Sequence, residues 1–126
     1  MVAGKGPDQR AGKQFRVTRR GDISRLFQDG RRASDRLIAL YGLRREEPAE
    51  VSRAGVVVTA RHGNAVRRNR LKRLCREAFR LIRHELPGGW DYMIVPRVGA
   101  ELTVGSVQGS LRKLTGRLAG EAGGAS

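Results

Sequence analysis

An α+β domain, with a small sheet of three to four strands covered by helices in the order α-β-β-α-β-α, is predicted by three features of the sequence. Two apolar runs of strand length come first; a stretch whose apolar residues recur at three- and four-residue steps follows; a further apolar run and an amphipathic segment close the pattern. A length of 126 residues fits one domain with a buried core and leaves no room for two independent ones.

Each element has its own signal. Asp22 is placed to cap a short helix that carries Ile23, Leu26 and Phe27 on one face, and Gly30 is placed to end it. Leu37 to Leu43 and Ala54 to Ala60 read as strands. The charged, Pro48-containing loop from Arg44 to Arg53 would let them pair as a long-looped hairpin. From Ala65 to Leu86 the period changes, and Leu71, Leu74, Cys75, Ala78, Ile82 and Leu86 share one helical stripe that Pro87-Gly88-Gly89 stops. Tyr92 to Pro96 is a strand apolar enough for burial on both faces, and Ser106 to Leu118 is a helix with Val107, Leu111, Leu114 and Leu118 inward. Residues 1–14 and 119–126 are rich in Gly and poor in large apolar side chains, so disordered tails are expected on either side of a domain spanning 15–118.

The charge balance narrows the partner. With 26 Lys and Arg against 12 Asp and Glu, the net charge is +14, a field that concentrates polyanions. RNA leads, and no DNA partner is expected. No apolar run approaches the roughly 18 residues of a membrane span, and the Gly-rich start lacks the apolar segment of a signal peptide, so a cytoplasmic protein is expected. One cysteine and two histidines give no zinc-ligand spacing, and Cys75 sits on the apolar stripe as a small core residue.

The residues from Arg61 to Arg76 carry the chemistry. Asn64 is placed as an N-cap, which crowds Arg67, Arg68, Arg70 and Lys72 into the first two turns of the long helix. A helix N-terminus already carries about half a positive charge, so each exposed cation there costs a few tenths of a kcal/mol. Like-charge pairs such as Arg68 with Lys72, and Arg76 with Arg80, add about 0.2 to 0.5 kcal/mol each. A phosphate-rich ligand reverses the sign of these terms, because backbone donors, the helix dipole and guanidinium forks then converge on anions. Arg80 and Arg83, further along, fit a solvated face.

Gly63-Asn-Ala-Val-Arg-Arg-Asn-Arg-Leu-Lys-Arg73 resembles the RNR signature of the bacterial ribonuclease P protein family. The likeness extends to Asp22 to Gly30, similar to the family's first helix, and to Asp91 to Arg97, similar to its last strand. The resemblance implies a left-handed βαβ crossover, which runs against the usual handedness. It implies a holoenzyme in which a catalytic RNA, with its own Mg²⁺, removes the 5′ leader of precursor tRNA, while the protein holds no cofactor. Arg61, Arg68, Asn69, Arg70, Lys72 and Arg73 match positions facing the catalytic RNA, and Arg67 and Arg76 join them as candidate RNA contacts. Phe27, Ala39, Tyr41, Val57 and Thr59 match positions lining a cleft for the single-stranded leader. Ala39 with Tyr41, and Val57 with Thr59, share strand faces, and exposed aromatics stack on unpaired bases. Core packing explains Phe27 equally well at this level, and Tyr41 is similarly open. The chain departs from the family at Ile23, where Phe is usual, at Ala60, where a basic residue is usual, and at His62, where an apolar one is usual.

Two other classes compete. A self-sufficient ribonuclease needs an acid and a base, but His62 and His84 are 22 residues apart, roughly 30 Å along a continuous helix. A structural RNA binder such as a ribosomal protein would share the size and charge, and the extended signature separates it.

Overall fold

The computed structural model describes residues 20–45 and 52–124; the expected tail at 1–14 lies outside them. Helix α1 (Arg20–Asp29) leads into strands β1 (Arg31–Ser34), β2 (Ile38–Arg44) and β3 (Arg53–Val56). A 3₁₀ turn (Ala60–His62) opens into helix α2 (Ala65–Ile82). A second 3₁₀ turn (Arg83–Glu85), strand β4 (Trp90–Pro96) and helix α3 (Val104–Gly124) complete the fold. The class is α+β: among the described residues, a four-stranded sheet in the order β1-β2-β4-β3 with three α-helices.

The expected hairpin is not formed. β2 pairs antiparallel with β1 and β4, and β3 pairs parallel with β4, so β4 lies between the two strands expected to be neighbours. The physical reason is in β4 itself. Trp90 to Ile94 are all buried, and a strand hidden on both faces belongs in the interior of a sheet, with α2 as the crossover from β3. β1 has no counterpart among the expected elements. Of its four residues only Ala33 is buried, and backbone pairing to β2 makes it a strand in spite of its polar sequence. Asp35 closes the turn between them by accepting the amides of Leu37 and Ile38 at 2.8 and 3.0 Å.

Element ends also shift. α1 reaches back to Arg20, so Asp22 lies in its first turn, where it favours the helix dipole, and is not its cap. Gly30 does follow the helix: its amide bonds to the Leu26 carbonyl, and a side chain there would collide with that carbonyl oxygen and crowd Gly42's. β3 stops at Val56 because Thr59 turns the chain into the 3₁₀ helix, and α3 runs past Leu118 to Gly124.

The core divides by face. Ile38, Leu40, Tyr92 and Ile94 pack under Cys75, Ala78, Phe79 and Ile82 of α2 and Val107, Leu111, Leu114 and Leu118 of α3. Burial pushes the Cys75 thiol up to about 12, consistent with a core residue. On the opposite face Leu26 of α1 meets Met93, flanked by Ile23, Tyr41, Val57 and Val95.

Candidate nucleic-acid interface

α2 begins where three local devices converge. Thr59 Oγ1 accepts the Arg61 amide, while the Thr59 amide donates to His62 Nδ1 at 3.0 Å, a reciprocal capping box. Because Nδ1 accepts, Nε2 carries the proton and donates to the Pro96 carbonyl at 2.7 Å. His62 is therefore a buried staple between the 3₁₀ turn and the end of β4, a use its sequence context did not reveal. Gly63 then takes φ 121, a left-handed value suited to glycine, and lies against the Arg67 side chain. Asn64 Oδ1 caps α2 by accepting the Arg67 amide at 2.9 Å.

Beyond that cap the first turn of α2 holds no acid. Arg61, Arg67, Asn69, Arg70 and Arg73 are exposed, whereas Arg68, Lys72 and Arg76 are half-buried on the flanks of the apolar stripe. Arg68 Nε is buried with no hydrogen-bond partner among the described residues, a donor held ready beside the helix start. Arg80 is different. Its guanidinium makes a two-pronged pair with Glu77 at 3.0 and 2.7 Å, which lowers the Glu77 pKa and fits the solvated face expected for it.

Of the expected cleft residues, Phe27, Ala39, Tyr41 and Val57 lie around one sheet face, whereas β3 ends at Val56, so Val57 and Thr59 do not share a strand face as expected. Phe27 is 40 % exposed, so it is not a core residue, and its ring meets the half-buried Tyr41 edge-on at 4.7 Å. Arg32 of β1 lies 5.9 Å from the Tyr41 ring centre, within cation–π range. Val57 is half-buried, Ala39 is buried at 5 % exposure, and Thr59 is exposed but occupied as a cap. The face is held by an ion cluster: Arg53 donates to Asp91 at 2.9 and 2.7 Å and lies 3.6 Å from Asp22 of α1, tying that helix to the sheet. Arg32 had no signal beyond its charge, since only the pairing of β1 brings it to Tyr41.

His62 and His84 stand at opposite ends of α2, and both nitrogens of His62 are engaged in backbone hydrogen bonds. Among the described residues no group of three or more His, Cys, Asp or Glu side chains could hold a metal ion, and no helix is long and apolar enough to cross a membrane. A cation-crowded helix start and a sheet face bearing the exposed Phe27 ring against Tyr41 are features suited to an RNA-binding α+β domain.

Comparison with known proteins makes the assignment specific. The Ribonuclease P family model matches residues 12–119. The ribonuclease P protein component of Oleidesulfovibrio alaskensis is 39% identical over 114 residues, covering 85% of this chain and 91% of that protein. That of Brevibacillus brevis is 36% identical over 100 residues, 79% of each. Among solved structures, a Staphylococcus aureus RNase P protein mutant superposes with TM-score 0.75 at 26% identity, covering 87% of this chain and 92% of that one. The Thermotoga maritima RNase P protein gives TM-score 0.69 at 27% identity, with 79% and 96% covered. The chain belongs to the ribonuclease P protein family, and is thus an RNA-binding component of a ribonucleoprotein of tRNA processing.

Proposed function

We propose that this chain binds the catalytic RNA of ribonuclease P through the start of α2, and holds the 5′ leader of precursor tRNA against the sheet face bearing Phe27 and Tyr41. The observation that carries the reading is the unopposed group Arg67, Arg68, Arg70 and Lys72 at a helix N-terminus without an acid in its first turn. Such a group is unfavourable for the free protein and favourable against phosphates. The cleft half of the reading is supported by the Phe27–Tyr41 pair, since a 40 % exposed ring beside a second aromatic offers a stacking platform. In this reading the RNA and its Mg²⁺ perform hydrolysis in the cytoplasm, and the protein, whose described residues offer no metal-ligand set, contributes binding. Its cations offset repulsion between two polyanions, catalytic RNA and substrate. The test compares precursor with mature tRNA bound to the holoenzyme. Tyr41→Ala and Phe27→Ala are expected to weaken the precursor selectively, by about 1 to 3 kcal/mol per base stack removed. Equal weakening of both tRNAs would remove the leader from this face.

A further inference from the structure

The carboxyl end of the sheet bears a second cationic feature away from the RNR segment. A recess of about 770 Å³ lies between the β1–β2 turn and the first half of α3, lined by Ser34, Arg36, Arg97, Gly109, Ser110 and Lys113. Asp35 sits in its wall but presents little free charge. Its Oδ1 accepts two backbone amides, and its Oδ2 accepts the Ser110 hydroxyl at 2.6 Å and faces Lys113 at 3.2 Å. The cations are less occupied. Arg36 is exposed and makes no ion pair among the described residues, Arg97 uses Nε on the Asp35 carbonyl, and Lys113 has two further N–H donors. Three cations, Arg36, Arg97 and Lys113, against the single carboxylate of Asp35 leave the recess net positive, with hydroxyls at its edge.

Its location extends the surface already described. Arg97 follows Pro96, whose carbonyl is held by His62 just ahead of the α2 cap, so the recess and the start of α2 share one end of the sheet. Gly109 gives access to the recess for a test. It is an exposed glycine inside α3, where glycine costs about 1 kcal/mol relative to alanine, yet an added Cβ would meet nothing within 4 Å. Internal packing does not require it, as it does not require Gly105, Gly116 or Gly120 of the same helix, so a side chain built at Gly109 probes the recess without disturbing the core.

We propose that this recess is a second RNA-phosphate site, so that RNA seated on the start of α2 continues around the Pro96–Arg97 corner onto α3. The site rests on the RNA-binding reading of α2. The test titrates the full chain with its cognate ribonuclease P RNA across a salt series, with sedimentation to follow its oligomeric state. Arg36→Ala is expected to lower the slope of log K against log salt by about 1, as one phosphate fewer is neutralised. Gly109→Glu, which the open space accommodates, should weaken binding roughly tenfold, the equivalent of one charge-assisted hydrogen bond to RNA. Gly120→Glu, the same charge change further along α3, should have a much smaller effect. Equal effects of the two Glu variants with an unchanged Arg36→Ala slope would overturn the site. So would an altered oligomeric state with unaltered RNA affinity, which would make the recess an interface between copies of the chain. Arg70→Ala, run in parallel, separates the two readings: if it weakens binding while the recess variants do not, the recess alone fails, and if none does, the α2 reading fails with it.

Discussion

At the start of α2 each arginine faces a helix end that already repels it, so single substitutions there should separate binding from stability. Arg70→Ala and Arg68→Ala are expected to reduce affinity for the catalytic RNA while leaving the melting temperature unchanged or slightly raised. Parallel losses of stability and affinity would mark these side chains as structural. Asp35 is the opposite kind of residue. Burial pushes its carboxyl up, but the Ser110 hydroxyl, the Ile38 and Leu37 amides and Lys113 outweigh it and hold the group well below the usual carboxylate range. A depressed folded-state pKa stabilises the fold above the unfolded value of about 4, and that contribution drains away as pH falls below it. Asp35→Asn should therefore cost about 1 to 3 kcal/mol at neutral pH, measured by urea unfolding, with the gap to the parent protein narrowing toward pH 2. A gap independent of pH would show that the carboxylate's charge is irrelevant to the turn.

The capping of α2 links the sheet to the basic helix. Asn64→Ala removes the acceptor of the Arg67 amide and should lower stability by about 1 kcal/mol, read as a shift in the urea midpoint. An unshifted midpoint would mean that the cap is not needed. This element was legible in the sequence because its signals are local: an Asn before a 3.6-residue period, and cations within two turns. The pairing of strands was not. Leu37 to Leu43 and Ala54 to Ala60 look like hairpin partners by adjacency alone, and only the double-sided burial of β4 shows why it intervenes between them. β1 was illegible because Arg31-Arg32-Ala33-Ser34 has no apolar alternation; its strand character comes from the partner β2. Without β1, nothing in the sequence makes Arg32 a neighbour of Tyr41, and it takes the tertiary approach of α3 to the β1–β2 turn to bring Arg36 and Lys113 together. His62 gives no local signal of its role in the sequence, and its two backbone hydrogen bonds emerge only once Pro96 is folded beside it.

For the molecule as a whole, a net charge of +14 and a cationic helix start suit a protein that binds RNA, and the proposed reading assigns the chemistry to the RNA partner. Arginine holds phosphate but cannot deprotonate water, since guanidinium stays charged at working pH. In the proposed reading the cations offset the repulsion between two polyanions, a task Mg²⁺ can partly perform alone, so the benefit of the protein should be greatest when Mg²⁺ is scarce. The decisive measurement is cleavage of a labelled precursor tRNA across a Mg²⁺ series with RNA alone, protein alone and both together. The expected result is no cleavage by the protein, a mature 5′ end from the mixture, and an advantage of the mixture over RNA alone that shrinks as Mg²⁺ rises. Cleavage in the protein-only lane that His62→Ala or His84→Ala abolishes, or an advantage unchanged across the Mg²⁺ series, would contradict it.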